Sequence, residues 1–388
     1  MNEQTKTDKH SFFSVSFDLI LLNDDLPYDL FINSSALENR ERFVKVHSSG
    51  NPVSNDDLTK FKGKFHQLYV LEEQRDLYLR SLAKLHNVPD TKKTEVIKDS
   101  AIGYLNKLFD PSKAFTTEIL NEVVEGCRDS VEGMVDVIQD YGVGEVRNLI
   151  ADLSFHDFYT YDHSINVSMY CISLLKALKP KVTREEMVLA GLGGLLHDLG
   201  KVQISTTILN SADGLTDEEF AIIKRHPGFG KDMIEKGDVN VDGIDFNVIR
   251  RVVFEHHENY NGTGYPNRLE GEQIHILARI CAIADFFDAI TTKRSYHEAL
   301  SMEDALAVME RSSGRKIDPN LFEAFKTKVT NVVYKGKSNH ELPDSFDPCM
   351  PHKVLPLEKV QAKKMNHDLF KKDKNEFGEV KVDKKDAA

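Results

Sequence analysis

The chain has 388 residues, of which 40% are hydrophobic and 29% are charged, and its formal net charge is -12. This composition is typical of a folded, water-soluble protein of two domains, and it excludes a disordered or membrane-embedded chain. The acidic balance also argues against a protein that binds a nucleic acid polymer, because such proteins need a basic surface.

The N-terminal stretch "MNEQTKTDKH" is polar, and no apolar run approaches the roughly 20 residues that a membrane span needs. We therefore expect a cytoplasmic protein without a membrane span. The four cysteines form no Cys-x-x-Cys pair, so the sequence predicts neither a disulfide framework nor a thiolate zinc site. They are Cys127, Cys171, Cys281 and Cys349.

Residues 1–110 are predicted to form a small α+β domain with a regulatory or sensory role. Four short runs have the composition of strands. They are "SFFSVSFDLILL", "YDLFIN", "RFVKVHSSG" and "HQLYVLEE". The stretches "NSSALENR" and "DLTKFKGK" between them have the pattern of turns or short helices. Titratable side chains do not cluster here, so we assign this region no catalytic role.

Residues 111–150 are predicted to be a helical linker. Apolar side chains recur at spacings of three and four and form one stripe along the helix. They are Val123, Cys127, Val131, Met134 and Ile138. The stripe favours packing into the core, and a dimer seam is the alternative.

Residues 151–335 have an almost wholly helical pattern, so the predicted fold class is mainly α. Thr216 is a good helix start, because three acidic residues follow it where the helix dipole favours anions. The predicted helices are "HSINVSMYCISLLKAL", "TREEMVLAGLGGLLHDLG", "TDEEFAIIKRHPGFGKDMIEK", "DFNVIRRVVFEHHE", "ILARICAIADFFDAITT" and "SMEDALAVMERSS". Residues 336–388 are rich in charge and poor in apolar residues, which predicts a poorly ordered tail.

Seven histidine and aspartate residues lie within these apolar helices or at their ends. They are His163, His197, Asp198, His226, His256, His257 and Asp285. One such residue alone would be interpreted as a core side chain bonded to a carbonyl. Because burying an imidazole or a carboxylate without a partner costs several kcal/mol, seven together indicate that they satisfy one another through a shared metal cluster.

The ligand types restrict the metal. Neutral imidazoles and carboxylates without thiolates suit iron, manganese or zinc. Five histidines and two aspartates exceed what one tetrahedral ion can use, whereas two octahedral ions bridged by a carboxylate fit the set. Asp198 is the predicted bridge because it follows His197. A zinc-protease helix is excluded, because that motif needs a histidine where this chain has Asn261.

The motifs "HDLGK" (197–201) and "HHENYNGTGYP" (256–266) resemble the HD-GYP group of the HD-superfamily metal-dependent phosphohydrolases. The resemblance covers about residues 150–330 and includes "YTYDHS", "LTDEEF", "RHPGFG" and "ADFFDAITTKRSYHEAL". It implies an HD-type helical bundle as the catalytic domain, with a metal site at which many members hydrolyse cyclic di-GMP, a bacterial second messenger.

For this chain the resemblance implies a phosphodiesterase that converts cyclic di-GMP to linear pGpG, to GMP or to both. A hydroxide that bridges two divalent metal ions would attack the phosphorus. Iron is the expected metal and manganese the alternative, and the seven residues above would be the ligands. The N-terminal domain would then regulate the enzyme.

The resemblance also implies roles for single residues. Asp198 and Lys201 would be catalytic, with Lys201 meeting the scissile phosphate, while Tyr265 would lie against a guanine base and Arg294 would contact the nucleotide. Simpler interpretations stay open: Lys201 as a cap of helix carbonyls, Tyr265 as an ordinary turn aromatic, and Arg294 as a partner of Asp288.

The chain departs from the family pattern at three positions. Tyr159 stands where members with a third metal have a glutamate, so we expect two metals. Asn261 replaces an aspartate in the glycine turn, and because Asn tolerates a left-handed conformation the turn should survive. His297 stands where some relatives have a second base-contacting cation. We interpret Glu258 as a group that orients a ligand rather than as a ligand itself.

Two alternative functions remain. One is a receptor or scaffold that binds the messenger or a diguanylate cyclase domain with little turnover, and the other is a phosphodiesterase for another cyclic dinucleotide such as cyclic GMP-AMP. A homodimer is compatible with the sequence but is not required by it.

Overall fold

The structure is a computed structural model. It describes residues 11–35, 42–65, 67–85, 88–109, 116–139, 160–209, 215–237, 239–291, 300–330, 340–343, 346–348 and 358–359. Within these ranges the chain is a small antiparallel sheet followed by a bundle of helices, as the sequence predicts.

The N-terminal region contains a four-stranded sheet. Its strands are β1 (Phe12–Val15), β2 (Leu30–Asn33), β3 (Phe43–His47) and β4 (Leu68–Leu71). They pair antiparallel in the order β1-β4-β2-β3. Each strand matches one of the four runs in the sequence. Leu30 in β2 and Leu68 in β4 are fully buried, so the sheet has an apolar face towards the rest of the chain.

Helix α1 (Asn55–Lys62) lies between β3 and β4. Three further helices connect the sheet to the bundle: α2 (Arg75–Leu82), α3 (Asp90–Phe109) and α4 (Thr117–Gln139). Helix α4 packs against α2 and α3. All five side chains of its apolar stripe are fully buried. The prediction of core packing is therefore confirmed, and the stripe is not available as a dimer seam.

The bundle that carries the predicted site residues begins with α5 (Thr160–Leu178) and α6 (Arg184–Leu196), which pack against each other and against α4. The remaining helices are α7 (Thr206–Leu209), α8 (Asp217–Ile223), α9 (His226–Lys236), α10 (Phe246–Glu255), α11 (Ile276–Thr291), α12 (Met302–Ser312) and α13 (Pro319–Ala324), followed by a π-helical turn at Phe325–Thr330. No helix in these described ranges is apolar over a length that would cross a bilayer.

Helices α8 and α9 correct one prediction. The sequence pattern indicated a single helix across "TDEEFAIIKRHPGFGKDMIEK". Thr216 does cap the start, through a hydrogen bond from Glu219 N. The helix nevertheless breaks after Ile223, and a new one begins at His226 with Pro227 in its first turn. Proline lacks an N–H and is tolerated only where a helix starts, which explains the break.

Part of the segment predicted as a tail returns to the bundle. Strand β5 (His340–Glu341) pairs with β6 (Glu358–Lys359). Leu342 and Phe346 are buried, at 6% and 3% exposure. The ring of Phe346 lies 5.4 Å from that of Phe286 in α11. These apolar contacts place the described part of the segment against the bundle.

Candidate metal centre

Three of the predicted ligands are histidines placed just after the last turn of a helix. His197, His226 and His256 follow α6, α8 and α10, where the final backbone carbonyls have no partner within the helix. Each ring uses Nδ1 to reach the carbonyl three residues earlier. The distances are 2.7, 2.8 and 2.9 Å, to Gly194, Ile223 and Val253. Since a carbonyl can only accept, Nδ1 of each ring carries a hydrogen, which leaves Nε2 as the nitrogen that can bind a metal.

Asp198 lies between two of these rings. Its Oδ2 is 3.3 Å from Nε2 of His197, and its Oδ1 is 3.3 Å from Nε2 of His226. Lys201 Nζ donates to Oδ2 at 2.6 Å. Burial alone would raise the pKa of Asp198, but the charge of Lys201 and the neighbouring imidazoles outweigh it and hold the pKa well below its usual value. The carboxylate is therefore ionised, with one oxygen facing each side.

His163 approaches from α5 and meets two aspartates of α11. Its Nε2 is 3.2 Å from Asp285 Oδ1, and its Nδ1 is 2.7 Å from Asp288 Oδ2. Asn166, one turn further along α5, donates from Nδ2 to Asp288 Oδ1 at 2.9 Å. Burial opposes protonation of His163, but the two carboxylates outweigh it and raise its pKa to about 9. In the metal-free protein this ring is therefore a cation at neutral pH.

The adjacent histidines complete the other side of the centre. Nε2 of His256 lies 3.2 Å from Nε2 of His226. The ring of His257 is 4.2 Å from that of His256 and stacks on Tyr265 at 5.0 Å. Burial lowers the pKa of His226 to about 4 and lowers those of His256 and His257 well below the usual value. All three rings are therefore neutral and able to act as metal ligands.

These side chains form two groups whose candidate ligand atoms lie within 4.8 Å of one another. One contains His163, His197 and Asp198, and the other contains Asp198, His226, His256 and His257. Asp198 belongs to both. Asp285 lies beside the first group through its contact with His163.

The donors fit divalent metal ions. Nε2 of His197 is buried with no hydrogen-bond partner among the described residues. Nε2 atoms of His226 and His256 both present lone pairs, yet they lie only 3.2 Å apart. Two imidazole nitrogens that bind one ion at about 2.1 Å each are expected about 3–4 Å apart. A cation shared between them satisfies both lone pairs.

The glycine-rich turn after α10 positions Tyr265. Its left-handed residue is Gly262, with φ 76°, rather than Asn261. Asn261 acts through its side chain, which accepts from the hydroxyl of Thr263 at 2.7 Å. The Glu258 carboxylate accepts from the backbone N–H groups of residues 267 and 269 at 2.6 and 3.1 Å, so it braces the loop that follows the turn. The aspartate of the family pattern is thus not needed for the turn.

A cavity of about 230 Å³ opens beside His256, His257 and Asp285. Lys224 and Lys316 bring positive charge to its wall. The C-terminal segment, defined here as Phe346–Pro348, forms part of that wall. Lys316 donates from Nζ to the carbonyl of Phe346, and Asp347 Oδ1 lies 3.7 Å from Nδ1 of His257.

The structure brings all seven predicted ligands to one place, with Lys201 and Tyr265 beside them. Lys201 Nζ donates to the Asp198 carboxylate. Arg294, Tyr159 and His297 lie outside the described residues, so their predicted roles stay predictions.

Several residues of the site were not assigned a role at the metal centre from sequence. They are Asn166, Lys224, Asp288, Lys316, Phe346 and Asp347. Only Asp288 carried a usable signal, because it follows Asp285 by three positions and therefore lies on the same helix face. The composition of residues 336–388 gave no sign that Phe346 and Asp347 line the cavity beside the centre.

Part of the chain is similar to known proteins. Residues 146–321 match the family model described as HD domain. A cyclic di-GMP phosphodiesterase of Pseudomonas aeruginosa is 37% identical over 202 residues, which cover 50% of this chain and 46% of that protein. A 3'3'-cGAMP-specific phosphodiesterase of Vibrio cholerae is 31% identical over 189 residues, which cover 49% and 39%.

The chain spans less than half the length of these two curated relatives. Among solved structures, an HDG"Y"P protein from Bdellovibrio bacteriovorus aligns with a TM-score of 0.50. The alignment covers 83% of this chain and 99% of that one at 17% identity, so it shows a likeness of fold alone.

Proposed function

We propose that the chain is a metal-dependent phosphodiesterase that hydrolyses a cyclic dinucleotide, because residues 146–321 match the family model described as HD domain. Cyclic di-GMP is the proposed substrate, and linear pGpG, GMP or both are the products. The names of the two curated relatives support this class of substrate, one for cyclic di-GMP and one for 3'3'-cGAMP.

One observation supports the proposal above all others: Asp198 faces an imidazole with each of its two oxygens, at 3.3 Å on both sides. This arrangement suits a carboxylate that bridges two ions. His163, His197 and Asp285 would hold one ion, and His226, His256 and His257 would hold the other. We propose iron, with manganese as the alternative, since both accept imidazole and carboxylate ligands.

Divalent ions bound there would act as Lewis acids, which make water nucleophilic at neutral pH and neutralise charge on a phosphate. The chain's own residues would do the rest. Lys201, held at 2.6 Å from Asp198, would place a positive charge beside the scissile phosphate as negative charge grows on its oxygens. Lys224 and Lys316 would attract the anionic substrate to the cavity, and burial of the imidazoles keeps bulk water from the ligands.

Base recognition would use the aromatic side of the cavity. Tyr265 stacks on His257 at 5.0 Å, so its ring orientation is fixed before substrate arrives. We propose that it lies against a base of the dinucleotide, and that Arg294 contacts the nucleotide. We also propose that the N-terminal region regulates the enzyme. Binding of a diguanylate cyclase domain belongs to the alternative function, a receptor or scaffold with little turnover.

The first experiment measures hydrolysis by protein purified without oxygen and loaded with Fe(II) or Mn(II). Wild type, Asp198→Ala and the exposed control Asp242→Asn are assayed with cyclic di-GMP and with 3'3'-cGAMP, and products are resolved by chromatography. We expect metal-dependent product from the wild type and the control, and none from Asp198→Ala. Equal turnover by Asp198→Ala would contradict the proposal, as would no product from metal-loaded wild type with either substrate.

A further inference from the structure

The contacts of His163 differ in kind from those of the three histidines at helix ends. Those three donate from Nδ1 to neutral carbonyl groups. His163 instead points Nδ1 at a carboxylate, Asp288 Oδ2, at 2.7 Å. A carboxylate acceptor makes a stronger, charge-assisted hydrogen bond than a carbonyl does. The environment of His163 is thus built differently from that of the other rings.

Asp288 is placed for this contact by its helix. It lies three residues after Asp285 in α11, so both carboxylates project from one face. His163 is held between them, with Nε2 at 3.2 Å from Asp285 and Nδ1 at 2.7 Å from Asp288. One face of α11 thereby fixes both nitrogens of one ring.

Asp288 has no exposed surface, so its charge needs buried partners. Asn166 provides one by donating from Nδ2 to Asp288 Oδ1 at 2.9 Å, and His163 provides another at Oδ2. Asn166 is itself 2% exposed and lies one turn from His163 on α5. A buried carboxylate costs free energy of folding unless both of its oxygens are paired. Both oxygens of Asp288 are paired, one with Asn166 and one with His163.

We propose that Asp288, braced by Asn166, is a positioning residue of the metal centre. It holds His163 with the hydrogen on Nδ1 and turns Nε2 towards Asp285 and the ion. The carboxylate also makes the imidazole a stronger metal ligand. This inference rests on the proposed function, because it concerns the same centre.

The two groups of ligands should therefore differ in affinity. The group around His163 has Asp198 and Asp285 at the ion and Asp288 2.7 Å behind the ring. The group around His256 has Asp198 as its one carboxylate ligand among three neutral imidazoles, and Asp347 is further off, 3.7 Å from Nδ1 of His257. The first group should bind a divalent cation more tightly. Loss of Asp288 should weaken that group selectively, by about 10- to 100-fold.

The test is calorimetric titration of the metal-free full chain with Mn(II). Asp288→Asn keeps the shape of the side chain but has only one acceptor oxygen. It can therefore accept from His163 Nδ1 or from Asn166 Nδ2, but not from both with separate oxygens. Asn166→Ala removes the brace and leaves the carboxylate. Ser168→Ala is the matched control, because Ser168 is buried on the same helix and donates to Gly191 O at 2.7 Å without touching His163.

We expect two Mn(II) ions per wild-type chain, one bound more tightly. In Asp288→Asn the tighter affinity should fall about 10- to 100-fold while the weaker one is unchanged. Asn166→Ala should show a smaller fall in the same affinity, and Ser168→Ala no fall. The urea midpoint of each metal-free variant separates a loss of folding from a loss of binding.

Both affinities within twofold of wild type in Asp288→Asn would overturn the inference and leave the proposed function intact. Equal weakening of both ions in that variant would overturn it as well. Absence of Mn(II) binding by the wild type would instead overturn the proposed function, and the inference with it.

Discussion

At the scale of single residues, the centre depends on keeping neutral and charged groups in defined places. Asp198 stays ionised beside Lys201, while burial keeps His226 neutral. His163 is the exception, since two carboxylates raise its pKa to about 9. These opposite shifts make the metal-free protein sensitive to pH in both directions.

Lys201 gives the first prediction at this scale. Lys201→Ala should lower kcat about 10²- to 10³-fold, as loss of one preorganised charge does in other enzymes. The variant should still bind metal, because all seven ligands remain. Turnover and metal content measured on the same sample check this. Lys231→Ala, a partly exposed lysine 3.8 Å from Glu235, is the control. An unchanged kcat in Lys201→Ala would remove this lysine from the mechanism.

A second prediction concerns the pH dependence of stability without metal. His226 takes up a proton near pH 6.5 in the unfolded chain but near 4 in the folded one. The free energy of unfolding should therefore fall as the pH drops from 6.5 towards 4. His163 contributes stability that is complete below 6.5 and is lost as the pH rises towards 9.

The urea midpoint of chelator-treated protein should accordingly be highest near pH 6.5 and lower at both pH 4.5 and pH 9. A midpoint that rises steadily from the lowest pH to the highest would show that these two histidines do not govern the profile. Asp198 and Asp285, whose pKa values are lowered in the folded protein, add to the loss only at still lower pH.

At the scale of elements, the turn after α6 is pressed against α9. A Cβ on Gly200 would lie 1.9 Å from the carbonyl oxygen of His226 and 2.5 Å from Gly230 N. Both neighbours are backbone atoms, which cannot move aside as a side chain can. The glycine thus sets how closely the HDLGK turn approaches the helix that begins with His226.

Gly200→Ala should therefore lower the free energy of unfolding by about 1–3 kcal/mol, the usual cost of overpacking. It should also weaken metal binding, since His226 has to move. Gly228→Ala is a matched control two residues after His226, because a Cβ there meets nothing within 4 Å. The urea midpoints of Gly200→Ala and Gly228→Ala measure this difference in stability. A midpoint for Gly200→Ala equal to that of Gly228→Ala would contradict the expected clash.

The spacing of apolar residues in the sequence predicted most of the helices around the metal centre. The apolar pattern predicted the helices that carry His163 and Asp285 and the helix that ends just before Asp198, since only a helix puts residues spaced by three and four on one face. The apolar spacing could not locate the break after Ile223, because it continues across that break into the helix that contains Pro227. The pairing of Asn166 with Asp288 was also beyond the sequence, since 122 residues separate them and only the packing of α5 on α11 joins them.

At the scale of the whole molecule, the cavity is closed partly by chain from far downstream. Phe346 is held by Phe286 and by Lys316, and Asp347 stands 3.7 Å from His257. The cavity of about 230 Å³ is smaller than the pockets of about 300–1,000 Å³ that hold drug-sized ligands. The proposed dinucleotide substrate would therefore extend beyond this cavity, past the wall that the C-terminal segment helps to form.

Asp347→Asn removes a negative charge beside a site for an anionic substrate. We expect KM to fall a few-fold, on the order of 1 kcal/mol in Coulomb energy, with little change in kcat. Steady-state kinetics with metal-loaded protein measure this, and the exposed Asp242→Asn shows the effect of net charge alone. A higher KM in Asp347→Asn would mean that the carboxylate assists binding instead of competing with substrate.

The histidines at the helix ends have a consequence for how such a centre changes during evolution or redesign. His197, His226 and His256 each offer one nitrogen to the centre and give the other to a carbonyl that its helix leaves without a partner. A cysteine or an aspartate introduced at any of them offers a donor atom to a metal but no N–H to that carbonyl. Replacing one of these histidines with another ligand thus requires a second change that supplies a hydrogen-bond donor to the carbonyl at the helix end. Variants with the single substitution alone should therefore fold poorly.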